Sequence, residues 1–194
     1  MEHHDYMQDY SNADNWDSVK TNWTSCGLFP VINQFDHPVR GIEIGIKEGL
    51  NSIALLEMCP NIEKLVGVDP FSPYVDLGYQ WTEEEQNSIY KHMLKNIKLR
   101  NCEDRFEHIR ATSIDAADQF QDGEFHFVFI DGEHTAEVVR AEIDAYWPKL
   151  AIGGIMSGHD FDKIGNAVRE WRQTHEIESP LEQLIHTSWY FVKN

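Results

Sequence analysis

The sequence predicts an α/β fold, with a mostly parallel sheet, helices on both of its faces and an antiparallel C-terminal edge. Three observations carry this. Short apolar runs at Val39–Ile44, Leu65–Val68, Phe125–Ile130 and Gly154–Ser157 alternate with longer stretches of helical period, the pattern of βα units around a parallel sheet. A chain of 194 residues with 41% hydrophobic residues has enough apolar surface to cover a sheet on two sides. The tail from Leu184 to Val192 is rich in β-formers and follows no helix pattern, so one or two closing edge strands belong there.

In chain order, residues 1–38 read as an N-terminal arm, a flexible start running into a short helix with Tyr6, Tyr10, Trp16 and Trp23 interleaved among acids. The remainder, 39–194, reads as the main domain. A strand over Val39–Ile44 meets a glycine turn, and a helix starts near Leu50. Thr82 with Glu83, Glu84 and Glu85 fits a capping box. Ile89, Met93 and Ile97 then fall on one face, predicting a helix over 82–99. Thr112–Asp115 offers a second cap after the strand-like Phe106–Arg110. Ala136, Val139, Ile143 and Trp147 mark an amphipathic helix that Pro148 ends nearby, and Ile164, Val168 and Trp171 mark another.

The balance of 16 Lys and Arg against 33 Asp and Glu gives a net charge of −17, a field that repels phosphate backbones and anionic lipid. Nucleic acid and membrane are therefore not expected partners, and a small-molecule substrate is. A local reversal at Lys91, Lys95, Lys98, Arg100, Arg105 and Arg110 reads as a solvated face. Cys26, Cys59 and Cys102 stand apart with no CxxC pair, which predicts reduced thiols. The acidic N-terminus lacks an apolar signal core and no long apolar run follows, so the expected compartment is cytoplasmic. Oligomeric state is open, a homo-oligomer included.

The chemistry begins at Gly41-Ile42-Glu43-Ile44-Gly45-Ile46-Lys47-Glu48-Gly49-Leu50-Asn51-Ser52. A glycine turn at the carboxyl end of a strand in an open α/β sheet is where ligands approach the backbone. The spacing from Gly45 to Gly49 is not the dinucleotide GxGxxG, and no GK[ST] follows for a phosphate-binding loop. A second run ends in Val68-Asp69-Pro70, placing a carboxylate where it can accept both hydroxyl protons of a ribose. Singly, Glu43 reads as a solvated carboxylate and Asp69 as a turn residue before proline; together they point to a nucleoside-type ligand.

These motifs, followed by Ala111-Thr112-Ser113, Phe129-Ile130-Asp131-Gly132-Glu133-His134 and Gly153-Gly154-Ile155-Met156-Ser157-Gly158-His159-Asp160, resemble the class I S-adenosylmethionine-dependent methyltransferases over about residues 39–175. They are similar to the small single-domain, metal-dependent O-methyltransferases of macrolide-sugar and catechol type. The resemblance implies a Rossmann-like sheet of seven strands and the cofactor S-adenosyl-L-methionine. It implies that Gly45 and Gly49 flank the methionine part and that Glu43 stands near its amino group. It places Asp69 at the ribose and Thr112 and Ser113 beside the adenine, with Ser52 as a contact of the cofactor carboxylate. Carboxylates also suit the cofactor's sulfonium and ammonium charges.

Asp131, His159 and Asp160 end neighbouring strands whose C-terminal ends lie about 5 Å apart, so they can converge on Mg2+ or another divalent cation. His134, just after Asp131, has the type of side chain that takes a hydroxyl proton near neutrality. Asp131 and His134 are thus the candidate catalytic residues, for methylation of a small-molecule or sugar hydroxyl. The chain departs from the family pattern at His159, where relatives carry an acid. The readings left open are a metal-independent enzyme with His134 or His159 as base, and a non-catalytic cofactor-binding module. An NAD-dependent oxidoreductase is weaker for want of GxG.

Overall fold

The computed structural model describes residues 16, 20, 21, 23–76 and 78–194. The start of the predicted arm, residues 1–15, lies outside the described residues. After a 3-10 turn at Cys26–Leu28 and a short helix α1 (Phe29–Ile32), the chain alternates strands and helices: β1 (Val39–Ile44), α2 (Leu50–Met58), β2 (Ile62–Val68), β3 (Tyr74–Asp76), β4 (Tyr79–Trp81) and α3 (Glu83–Leu99). It continues with β5 (Phe106–Ile109), α4 (Ser113–Ala117), β6 (Phe125–Ile130), α5 (Ala136–Tyr146), β7 (Leu150–Gly158), α6 (Phe161–Thr174), β8 (Glu182–Gln183) and β9 (Trp189–Val192).

Seven strands form one sheet in the order β5-β2-β1-β6-β7-β9-β8. The first five are parallel, whereas β9 pairs antiparallel with β7 and with β8. This is the Rossmann-like α/β sheet with an antiparallel C-terminal edge that the sequence predicts. β6 shows why it is covered on both sides. Phe127 and Phe129 belong to one apolar cluster, with Ile53 and Leu55 of α2 and Met93 of α3, while Val128 and Ile130 belong to the other, with Val139 and Ile143 of α5 and Val168 of α6. Successive side chains point to opposite faces, so a strand buried on both sides reads as an unbroken apolar run. Gly41 of β1 leaves the space for the Phe127 ring, since a Cβ there would lie 2.1 Å from it.

The cap of α3 forms as predicted: the Thr82 hydroxyl accepts from Glu85 N, and the Glu85 carboxylate accepts from Thr82 N at 2.8 Å. Two local features interrupt the βα alternation. Gly153 and Gly154 lie inside β7, at a bulge where the register against β6 jumps from Phe125–Leu150 to Phe127–Ile155. Gly153 has φ +79, and the amide of Gly153 and the carbonyl of Gly154 bond to Lys193, so a glycine suits the irregularity. The segment Ser72–Trp81 holds the hairpin β3-β4, in which Tyr74 stacks on Trp81 at 6.0 Å. Strands of three residues are too short to show a period.

The three cysteines are free and buried, and burial pushes the Cys59 thiol up to about 12. Among the described residues no helix is long and apolar enough to cross a membrane.

Candidate functional site

Strand order reverses direction of progression between β1 and β6. From β1 the chain builds outward through β2 to β5, and from β6 it builds the other way through β7. Such a switch point opens a crevice beyond the carboxyl ends of the strands. A crevice of about 320 Å³ lies there, lined by Glu43, Gly45, Ile46, Asp131 and His134 together with Trp23 and Thr24 from the N-terminal segment. A larger, open hollow is lined only by Glu83, Glu84, Asn87, Ser88 and Lys91 of one helix, with no group from the sheet.

The residues just beyond each strand are held by extensions of the ladder. Gly45 N donates to Val68 O at 2.8 Å, Asp131 N to Ile44 O at 2.8 Å, and His159 N to Ile130 O at 3.0 Å. The candidate side chains are therefore set by the sheet rather than by free loops. Gly45, at φ +81, approaches other backbone closely: a Cβ there would stand 2.4 Å from Asp131 O and 2.5 Å from the Gly132 Cα. Its bare Cα serves the meeting of two protein strands. Gly49, at φ +75, caps α2, and its missing side chain faces Met93 of α3 at 3.0 Å.

Glu43 is buried, 1% exposed, at the floor of the crevice. Its carboxyl accepts from Asn51 Nδ2 at 2.9 Å and from Ser52 Oγ at 2.5 Å. Burial pushes its pKa up to about 8 despite those donors, with the Asp131 and Asp69 charges adding to the rise. Ser52 is fully buried behind Glu43, so its hydroxyl faces that carboxyl and not the crevice. Asp69, half-buried, ties the first turn together. Oδ2 accepts from Ile46 N at 3.2 Å and Lys47 N at 3.1 Å, and Oδ1 from Phe71 N at 2.8 Å. Burial raises its pKa, against the pull of those amides. A carboxylate has about four acceptor sites, so three bonds leave capacity for a hydroxyl. Lys47 and Phe71, at the ends of Asp69's bonds, both have positive φ, 45° and 46°.

Thr112 caps α4 by accepting from Asp115 N at 3.2 Å, and Ser113 Oγ donates to Glu142 Oε1 at 2.8 Å. Neither lines the 320 Å³ crevice; they stand further along the strand ends, past β5. Glu142 was not singled out by the sequence. It is 2% exposed on the inner face of α5, one turn from Val139, and burial pushes its pKa up to about 7. A carboxylate recurring on an apolar helix stripe is the signal that could have found it.

Past β6 and β7, five side chains meet. His134 Nδ1 lies 2.9 Å from Asp160 Oδ2, and His159 Nδ1 lies 3.5 Å from Asp131 Oδ1 and 3.3 Å from Asp160 Oδ2. Lys163 Nζ reaches Asp160 Oδ1 at 2.8 Å. One ligand atom each from Asp131, His134 and Asp160 falls within 4.8 Å of the others, a donor set of two carboxylates and an imidazole. His159, the predicted third ligand, instead stands beside both carboxylates with Nε2 3.3 Å from the Thr187 hydroxyl. Burial lowers the His159 pKa, but Asp131 and Asp160 outweigh it and hold the imidazole above its usual range. Burial raises the Asp131 pKa, whereas Lys163 and the two histidines overcome burial at Asp160 and hold it below the usual carboxylate range. Asp160 adopts φ +54, a sparsely used conformation that aims its carboxylate back at the cluster.

Residues 42–161 match the model of the methyltransferase domain family, well over half of the chain. No curated protein matches the sequence. Among solved structures, a protein from Corynebacterium glutamicum aligns at TM-score 0.63 and 16% identity over 97% of this chain and 93% of its own. The O-methyltransferase NovP aligns at 0.62 and 15% over 87% of this chain and 80% of its own. A Staphylococcus aureus protein, provisionally assigned as a caffeoyl-CoA O-methyltransferase, aligns at 0.64 and 11% over 99% and 95%. At these identities the likeness is one of fold. With the family match, the strand order and the glycine turn at the switch point, the chain belongs to the methyltransferase domain family, and it is a class I S-adenosylmethionine-dependent methyltransferase.

Proposed function

We propose that the protein methylates a hydroxyl of a small molecule, with His134 as the base. The observation that carries this is the His134–Asp160 contact at the mouth of the crevice. With Nδ1–H donating to the Asp160 carboxylate, the imidazole is held in the tautomer whose Nε2 lone pair is free to accept a proton. His134 is exposed on the crevice side, where an acceptor hydroxyl can reach it, and Asp160 acts as its positioning residue. Methyl transfer needs an oxygen stripped of its proton and aligned with the methyl carbon, and no covalent intermediate on the protein. Glu43 would receive the ammonium of the cofactor and Asp69 its ribose hydroxyls, with Gly45 along the methionine part. Gly49 and Ser52 would act behind them through the backbone turn and Glu43, while Thr112 and Ser113 would stand at the adenine end. The names of two of the aligned structures as O-methyltransferases support oxygen as the acceptor atom.

Asp131 and Asp160, with an imidazole nitrogen from His134 or His159, have the chemistry to hold Mg2+ or a similar cation. Such an ion would lower the acceptor's pKa and orient its oxygen. In its absence the His159 imidazole, held above its usual range by Asp131 and Asp160, stands beside the same two carboxylates. Activity against a panel of hydroxylated acceptors, measured with and without chelator, separates the two forms. Abolition by chelator and restoration by Mg2+ assigns the ion; full activity in chelator leaves His134 as base with no ion. Activity unchanged in His134→Ala would contradict the base.

A further inference from the structure

We propose that Asn51 is a positioning residue that makes the N-terminal segment at Trp23–Ser25 part of the cofactor site, so that cofactor binding and docking of this segment strengthen each other. The inference rests on the reading that Glu43 receives the cofactor's ammonium. Asn51 lies in the first turn of α2, a helix buried on nearly every side, and is itself 6% exposed. A carboxamide has one donating end and one accepting end. Its Nδ2 donates to Glu43 Oε1 at 2.9 Å. Its Oδ1 accepts from Ser25 Oγ at 2.6 Å, Ser25 N at 3.3 Å and Thr24 Oγ1 at 3.1 Å.

The orientation is forced from both sides. A flipped amide would set an NH2 group against the Ser25 N–H and an oxygen against the Glu43 carboxyl. Asn51 therefore reads the docked segment on one side and the carboxyl on the other. The segment is gripped from its far side as well: Ser188, fully buried, donates its hydroxyl to Thr24 O, and Gly27 packs against Leu184. Docked this way, Trp23 and Thr24 line the same crevice as Asp131 and His134.

The sign of the coupling follows from charge. A cation beside Glu43 favours its ionised form, and a charged acceptor strengthens the Asn51 Nδ2–H bond. Polarisation of the amide then makes Oδ1 a better acceptor for Ser25 and Thr24. Conversely, an undocked segment leaves Asn51 free to rotate away, and Glu43 keeps only the Ser52 hydroxyl of its two side-chain donors.

The test uses the full chain and S-adenosylhomocysteine as probe. Calorimetric affinity is measured for the wild type, Ser25→Ala, Asn51→Ala and the double variant, with thermal unfolding recorded separately, and hydrogen exchange is followed across residues 23–28 with and without probe. We expect the probe to slow exchange in that segment of the wild type. Ser25→Ala, which alters no crevice-lining side chain, weakens binding several-fold, and Asn51→Ala weakens it about tenfold or more. The double variant is no weaker than Asn51→Ala. Because Ser25→Ala tests the link from the far side, the proposal stays falsifiable if Asn51→Ala does not fold. A purely structural role would lower the unfolding temperature while leaving affinity and probe-dependent protection intact. Wild-type affinity in Ser25→Ala, or no probe-dependent protection, overturns the coupling. No binding by the wild type overturns the cofactor reading itself.

Discussion

Gly45→Ala isolates what the first turn contributes to the site. Gly45 has φ +81, and an added Cβ would lie 2.4 Å from Asp131 O, 2.5 Å from the Gly132 Cα and 2.7 Å from Asp131 C. All three are backbone atoms, pinned by the bonds Gly45 N to Val68 O and Asp131 N to Ile44 O, both 2.8 Å, so no side chain can swing away. The positive φ alone costs an alanine about 1–2 kcal/mol. Overpacking against fixed neighbours adds about 1–3 kcal/mol. The sum, about 2–5 kcal/mol, is a large share of the stability of an ordinary domain. Gly123 provides the control, since it has φ +73 and nothing within 4 Å of an added Cβ. Gly123→Ala should therefore cost only the conformational part. Urea unfolding of both variants, with S-adenosylhomocysteine affinity measured on the folded protein, gives the comparison. Gly45→Ala should lose about 1–3 kcal/mol more than Gly123→Ala and bind the probe more weakly, because Asp131 is displaced. Equal losses would refute the argument that the turn and the end of β6 are locked by contact.

Three further outcomes are expected. His134→Ala should lower turnover by about 10²–10⁴-fold with S-adenosylhomocysteine affinity nearly unchanged in calorimetry; a large loss of affinity would place His134 in the cofactor's grip instead. Glu43, raised to about 8 by burial, takes up a proton on folding, so its contribution to stability falls as pH rises from about 4.5 toward 8. Cofactor binding favours the ionised carboxyl and should strengthen over the upper part of that window with release of a proton, and Glu43→Gln should flatten both dependences. Thr82→Ala removes the hydroxyl that accepts from Glu85 N and should cost about 0.5–2 kcal/mol in urea unfolding, without altering probe affinity.

Much of the fold was legible because local pattern and tertiary role agree. β1 and β6 run over the residues expected, since strands covered on both faces show as continuous apolar runs bounded by polar turns. α3 was marked by its own cap. β2 begins at Ile62, ahead of the expected Leu65, because Glu63 and Lys64 near the rim of the sheet interrupt the apolar run. The bulge at Gly153 depends on Lys193, a partner 40 residues on, which no local pattern reveals. The same holds for the site. The carboxylates were visible because Glu43 lies at the end of a strand and Asp69, Asp131 and Asp160 each follow one, and the end of a parallel strand is where such a fold places its chemistry. Their partners were not visible: His134 meets Asp160, and Asn51 meets Ser25, across distances in sequence that only the sheet closes. The glycine turn was read as room for a ligand, whereas at Gly45 and Gly49 the space is filled by Asp131 and Met93.

The central proposal is that S-adenosylmethionine binds at the switch point between β1 and β6, with Glu43 in the lining of the crevice and Asp69, bonded to the Ile46 and Lys47 amides of that lining, at the ribose. Calorimetric titration of the full chain with S-adenosylhomocysteine tests it most directly, with Glu43→Ala and Asp69→Ala alongside and NAD as the competing ligand. The account predicts one probe bound per chain, binding weakened by either substitution, and no binding of NAD. Absence of S-adenosylhomocysteine binding at millimolar concentration, or affinity indifferent to both carboxylates, would contradict it.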